Sequence, residues 1–374
     1  MMKPLCRRRS AADLASHSLS AEAWRRFRRN PLSVASLVVI GLFALVAILG
    51  YLITPDHTPD CNQQYLELAT LKPGSKATFL CERKAENTEA GATDGFRTFH
   101  FSLSTMLRGE PLPYTATPIN KYSVTADSIR VEPIAGAPFS VAADAATVRE
   151  RTFVLGTDAY GRDVLSMLMI GSRVSLSVGF IAIIIALVIG VSLGALAAYR
   201  GGWVDNVIMW LINVVWSIPT VLLVIAITFA LGKGFWQIFV AVGLTMWVDI
   251  ARVVRGEVLS LREKEYVEAT RALGFSTART IVRHILPNVA GAVTVVAASN
   301  FASAILLEAG LSFLGIGVQP PTPSWGMMVK ENYGYILLDS AYLALLPGAA
   351  IMIIVLAFML VASGLRDALD TRST

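Results

Sequence analysis

Residues 252–287 read RVVRGEVLSLREKEYVEATRALGFSTARTIVRHILP, from Arg252 to Pro287. Seven Lys or Arg and four Glu fall within this stretch, which has helical spacing and is broken at Gly274. The residues on either side, 235–251 and 289–307, are almost wholly apolar. Flanking runs of this kind read as membrane spans. The charged stretch between them must then stand in water, and it reads as a protruding surface for a soluble partner. The plainer alternative is a solvated amphipathic connection, and helical pattern alone does not separate the two.

Composition agrees with a membrane protein. Of 374 residues 54% are hydrophobic and only 16% charged, against about 25% charged in ordinary soluble proteins, and the mean hydropathy is +0.58. The net charge of +5 does not indicate nucleic acid, because the basic residues lie in blocks beside apolar runs, where they set topology. The three cysteines, Cys6, Cys61 and Cys81, have no zinc spacing, and no metal site is expected. The start of the chain lacks the apolar core of a cleavable signal peptide. No GxxxxGK[ST] phosphate loop occurs, and Gly232-Lys233-Gly234 lacks the frame, so the chain is not itself an ATPase. Intramembrane enzymes need paired groups such as HExxH, GxSxG with a histidine, or facing aspartates. The four histidines (His17, His57, His100, His284) are dispersed, and only Asp249 and Glu308 come near mid-span, too few charges for a proton-coupled carrier.

In chain order, residues 1–31 hold eight Lys or Arg and are retained in the cytoplasm. Ser20 is expected to cap a short interfacial helix, AEAWRRFRRN, ended by Pro31. Residues 32–53 form the first span. Residues 54–155 have the composition of a soluble insertion on the outer side, with a short alternating piece from Tyr122 to Ile129. Cys61 and Cys81 lie here, bridged or as two free thiols. A glycine-rich turn, Gly156 to Asp163, leads into an interfacial helix ending at Arg173. The core, 156–374, then carries spans at 174–198, 206–231, 235–251, 289–307 and 341–365. Pro219 kinks the third span, and Asn213 lies within it; a freed carbonyl there must face protein or a pore. Asp249 is expected to pair with Arg252 or Arg255. Asn300 lies in the fifth span and Glu308 at its outer end. Residues 311–328, with Gly315, Gly317, Pro320, Pro321 and Trp325, are too rich in Gly and Pro for a helix and too apolar for a free loop. They read as a re-entrant or lid-like outer segment. The expected fold is an all-α membrane protein of six transmembrane helices, with both termini and the 252–287 loop cytoplasmic and the insertion outside.

Within the central stretch, 257–273 reads as one helix with Gly274 as a left-handed C-cap, and a second helix runs from Ser276 as N-cap to Leu286. Tyr266, Ala269, Thr270 and Leu273 share a stripe on the first, and Glu268 can pair with Arg271 or with a partner.

The order Glu268-Ala269-Thr270, then Gly274, then His284-Ile285-Leu286-Pro287 resembles the EAA motif of bacterial ABC importer permeases, with Thr270 as the third residue of the triplet and His284 where isoleucine is common. WRRFRRNP (24–31), LGTDAYGRDVLS (155–166) and LSFLGIGVQPPTPSWG (311–326) resemble the second permease subunit of dipeptide, oligopeptide and nickel importers. The likeness covers residues 20–53 and 150–370; residues 54–150 have no recognised counterpart. The resemblance implies the type I ABC importer permease fold, a bacterial inner-membrane location and peptide cargo, with nickel chelates or glutathione-like peptides behind. It also implies assembly with a homologous permease, two ATP-binding subunits that hold ATP and Mg, and an extracytoplasmic solute-binding protein. Tyr266, Glu268, Ala269, Thr270, Leu273, Gly274, Leu286 and Pro287 would couple to the ATPase, while Asn213, Pro219, Asn300 and Glu308 are pathway or gating candidates. From another class, a membrane sensor with an outer ligand domain fits less well, because no signalling domain follows.

Overall fold

The computed structural model describes residues 19–83, 103–232 and 234–369. Cys6, His17, His100, Lys233 and the first basic cluster lie outside them. Among the described residues five helices are long and apolar enough to cross a membrane: α2 (Pro31–Ile53), α4 (Val164–Arg200), α7 (Phe235–Arg262), the continuous rod Thr277–Phe313, and α12 (Tyr342–Leu369). The sixth crossing expected from the sequence is divided into α5 (Gly202–Ser217) and α6 (Thr220–Leu231), which bend by 95°. Pro219 therefore does more than kink a span. It follows Ile218, whose extended backbone ends α5, and stands immediately before α6.

Several boundaries differ from the sequence reading. α1 (Leu19–Arg29) is already helical at Leu19, and it ends before Pro31 because Asn30 caps α2, its side-chain oxygen accepting from the Leu32 and Ser33 amides. Proline then occupies the first turn of α2, where a missing N–H does no harm. Phe27 is buried against Val361 and Ala368 of α12, while Trp24 stacks on it at 5.7 Å. The helix expected to lie at the interface up to Arg173 is the first part of α4, which runs unbroken from an Asp163 N-cap.

α4 and α7 pack closely because glycine faces the neighbour. A Cβ on Gly190 would lie 2.6 Å from the Trp247 carbonyl, and one on Gly243 would lie 2.7 Å from Ile185. Small residues permit such backbone approach where lipid supplies no hydrophobic drive for helix pairing.

The all-α description holds for the membrane part alone. The insertion is a five-stranded antiparallel sheet ordered β4-β3-β2-β1-β5, from β1 (Ser75–Arg83), β2 (Tyr114–Val124), β3 (Ser128–Pro133), β4 (Phe139–Ala142) and β5 (Ala146–Phe153), with the short helix α3 (Leu103–Arg108) between β1 and β2. Alternation along β1 serves two cores: Ala77, Phe79 and Cys81 face Tyr65, Tyr114 and Phe153, whereas Leu80 faces Ile119, Ile129 and Val131. The alternating piece from Tyr122 to Ile129 is not one strand but the turn of the β2–β3 hairpin, where Val124 pairs Ile129.

The two ends of the insertion are tied to each other at the base of the sheet. Tyr65 N donates to Tyr160 O at 3.1 Å, Thr70 N to Asp158 O at 2.9 Å, and Thr157 Oγ1 to Leu68 O at 2.5 Å. Gly161, at φ +74, passes so close to the Tyr65 carbonyl that a Cβ would overlap it.

Cys61 and Cys81 are free, buried thiols rather than a bridge. Cys61 donates to Asp56 O at 3.1 Å. Burial, helped by the charge of Asp56, pushes the Cys61 thiol far up, and burial also raises Cys81. The thiolate is the nucleophile, so maleimide at neutral pH is expected to leave both unmodified in the folded protein and to label both after denaturation. Peptide mapping that finds a Cys61–Cys81 cross-link, or fast labelling of the native protein, would contradict this arrangement.

Candidate functional site: an exposed polar knob and the cavity above it

The central polar stretch folds as a compact knob, and its elements differ from the two helices expected. α7 continues through Arg262, whose guanidinium donates to Ala198 O at 2.7 Å and so caps the end of α4. The chain then breaks at Glu263–Lys264 and forms α8 (Glu265–Ala272). Gly274 has φ +75. Its N–H bonds to Arg271 O at 2.9 Å and that of Phe275 to Thr270 O at 3.0 Å, the paired C-terminal bonds of a left-handed cap. Ser276 caps α9 (Thr277–Thr280) through Arg279 N at 3.4 Å.

From Ile281 to Ile285 the helix widens into a π turn, with Leu286 N bonded to Ile281 O, and continues as α10 (Leu286–Phe313). The widening shifts the carbonyls by one residue, so Pro287, lacking an N–H, enters without breaking the rod. α7 and α10 thus both run from the knob into the membrane layer.

Tyr266, Glu268, Ala269, Leu273 and Gly274 are exposed, Leu273 at 72%. Thr270 departs from the expected stripe: it is buried, donates to Val267 O at 2.6 Å and meets the Thr280 hydroxyl at 3.3 Å, joining α8 to α9 beneath the exposed face. Leu286 is half-buried against the helix core and Pro287 is exposed. Arg271 does not pair with Glu268. Its guanidinium lies 5.1 Å above the Tyr199 ring at the end of α4.

Above the knob, the α5–α6 bend opens a cavity of about 600 Å³ walled by α7 and α10. Asn300 lines it and donates to Met246 O at 3.4 Å. Ile218 and Thr220, on either side of Pro219, line it as well. Asn213 is exposed on α5 outside this lining. Asp249 also lines the cavity, and neither expected partner pairs with it: Arg255 forks onto Asp205 with two 2.6 Å bonds, and Arg252 lies 3.8 Å above the Trp216 ring.

Glu308 is not in the cavity. It is fully buried in a cage of hydroxyls, Ser175 at 3.0 Å, Ser312 at 2.7 Å, and Ser324. Three elements meet there: α4, α10 and the segment after it. In that segment Gly315 turns at φ +76, Gly317 crowds Ser312, and the cis Pro320–Pro321 pair stands exposed at the tip. Trp325 opens α11 (Trp325–Asn332) and is fully buried, its indole donating to Leu168 O at 2.9 Å.

The sequence reading missed a further tie. Arg162 bonds Asp158 at 2.6 Å and Glu331 of α11 at 2.5 Å. Burial works against its charge, but the two carboxylates outweigh it and hold the guanidinium above its ordinary pKa. The i,i+4 spacing of Asp158 and Arg162 was visible in the sequence, whereas Glu331 is distant along the chain.

Rods carried through a membrane layer, a broken span beside a cavity, and an exposed knob continuous with two of the rods define a membrane transport subunit. Comparison with known proteins gives the family. Residues 190–374 match the model of the binding-protein-dependent transport system inner membrane component, and residues 18–73 match the N-terminal TM domain of oligopeptide transport permease C. A dipeptide transport system permease protein of Alkalihalophilus pseudofirmus is 40% identical over 58% of this chain and 71% of its own length. A glutathione transport system permease protein of Pectobacterium atrosepticum is 38% identical over 58% and 72%. A dipeptide transport system permease protein of Lactococcus lactis is 29% identical over 98% and 94%, so the inserted region does have a counterpart. Among solved structures, an inward-facing methionine ABC transporter is 19% identical, covering 54% of this chain and 96% of that one, at a TM-score of 0.45. The chain belongs to the family of binding-protein-dependent transport system inner membrane components, the permease subunits of ABC importers.

Two substitutions test the ties. Replacing Arg162 by Met strands the buried Asp158 carboxylate and is expected to destabilise the purified protein by about 3–5 kcal/mol, read as a fall in thermal midpoint in detergent. Glu331→Gln keeps the Asp158 pair and should lower the midpoint less. In the knob, nothing lies within 4 Å of the Cβ position at Gly274, so Gly274→Val should act through its left-handed backbone alone. The expected penalty is about 1–2 kcal/mol, seen as faster amide exchange confined to α8 and α9.

Proposed function

We propose that this permease carries peptides inward across the bacterial inner membrane, and that α8 and α9 are the seat of a separate ATPase subunit. Peptide cargo is supported by the dipeptide transport names of relatives at 40% and 29% identity. The glutathione name of another fits a small peptide as well. The observation that carries the coupling role is the exposed face of Tyr266, Glu268, Ala269 and Leu273 on a knob whose two exits, α7 and α10, wall the cavity.

In this reading a homologous permease completes the pathway, two ATP-binding subunits hold ATP and Mg, and an extracytoplasmic solute-binding protein delivers cargo. The knob and both chain termini face the cytoplasm, as the basic residues around the first span and in 252–287 favour. Residues 54–155 face outward. ATP closing the ATPase dimer would displace the knob, and α7 and α10 would transmit the tilt to the cavity. Such a switch needs differential affinity for its two states, supplied by ATP and by the loaded receptor. Residues 311–328, held by the Glu308 cage, are the outer lid.

The test is uptake of a labelled dipeptide by the complete transporter in proteoliposomes. Glu268→Lys, on an exposed position, is expected to leave insertion and thermal midpoint unchanged and to reduce ATP-dependent uptake at least tenfold, about 1.4 kcal/mol of coupling. Parental uptake by this variant, or cross-linking that puts Ala269 on the outer side, would overturn the docking assignment.

A further inference from the structure

The cavity beside the α5–α6 bend is mostly apolar, walled by Trp216, Val221, Leu307 and their neighbours, with few polar groups. One of these is a carboxylate. Asp249 is exposed into this space, and among the described residues it has no hydrogen bond or ion pair. Of the two arginines one and two turns along α7, Arg255 is committed to Asp205, and Arg252 acts on Asp249 through its charge but lies over the face of Trp216 without forming an ion pair with that carboxylate. Across the cavity Asn300 spends its amide N–H on Met246 O, and its amide oxygen is an acceptor with no donor among the described residues.

A carboxylate at membrane depth is costly unless a cation or water answers it. Apolar walls with a few convergent polar groups are the usual makeup of a small-ligand site. We infer that Asp249 receives the positively charged amino group of the cargo, with the Asn300 amide oxygen as a second acceptor. The contact is a charge-assisted N–H···O bond, and the apolar walls accept side chains with little discrimination. The inference rests on this cavity being part of the translocation path. It assigns the permease a selectivity of its own, for cargo bearing an ammonium group, in addition to any exercised by a receptor.

The experiment uses the assembled complex, free of nucleotide and of the receptor, and saturation-transfer NMR with two probes. Alanyl-alanine carries the ammonium; lactoyl-alanine has a hydroxyl in its place. The expected result is transfer to alanyl-alanine in the parent, affinity weakened about tenfold or more in Asp249→Asn, and most of it restored in Asp249→Glu. Lactoyl-alanine should bind weakly and equally to all three. Equal binding of alanyl-alanine to the parent and Asp249→Asn overturns the inference, as does the absence of transfer in the parent. Loss of the companion permease from purified Asp249→Asn complex would also overturn it, assigning the carboxylate to a subunit contact. ATP-dependent uptake separates the two levels: alanyl-alanine uptake at the parental rate in Asp249→Asn sinks the site and leaves the importer standing, whereas a parent complex that takes up no peptide sinks the importer reading itself.

Discussion

Hydrocarbon offers no partner to a backbone N–H or C=O, so a chain crosses it only as helix and may leave the helix only where protein or a water-filled space completes the bonds. Three departures from regular helix among the described residues fit that constraint. The 95° bend at Pro219 adjoins the cavity. The irregular run after Phe313 returns its backbone to the helix end, Gly315 N to Ser312 O and Ile316 N to Leu311 O, and bonds Val318 N to the Ser312 hydroxyl. Pro287 passes through because the turn before it is widened by one residue. The breaks are therefore the places where this chain meets something other than lipid.

The unbroken parts matter equally. α7 and α10 lead from the knob to the cavity, lined by the middle of α7 and the far half of α10, and α7 is pressed against α4 through glycines that bring the backbones together. Close-packed helices have little freedom to deform separately. Arg262 on the Ala198 carbonyl and Arg271 over Tyr199 fix the knob to the end of α4 as well. The knob is thereby joined to three helices together, and Asp205, near the start of α5, ties that helix to α7 through Arg255.

Much of this was legible in the chain. The apolar runs gave the spans, because length and lack of charge are sufficient signals in a membrane protein, and Gly274 announced its left-handed turn. The charged stretch at 252–287 announced the knob. What stayed hidden depended on contacts between distant segments. Nothing local distinguishes the inward-facing Thr270 from its exposed neighbours until Thr280 is placed beneath it. Asp249 was assigned to the nearest arginines, but aromatic and acidic groups on α5 hold both. Glu308 was visible as an isolated carboxylate, yet its serines come from three segments. The β-sheet was obscured because its strands are short and the alternating piece at Tyr122 to Ile129 spans a turn. Asn30 is not legible locally as a cap, because the proline after it reads equally as the end of one helix and the first turn of the next.

The base of the sheet carries one more implication. Its two ends, near Tyr65 and Tyr160, are stitched to each other before either reaches the membrane helices, so the first and second crossings are joined by what amounts to a short clasp. Beyond the clasp α3 is tied to α4 as well, Arg173 donating to Met106 O and Leu107 O, so the length of chain free to vary is the far edge of the sheet, β3 and β4, which pair with β2 and with each other. That edge can be lengthened, trimmed or exchanged over evolutionary time without re-aiming α2 or α4.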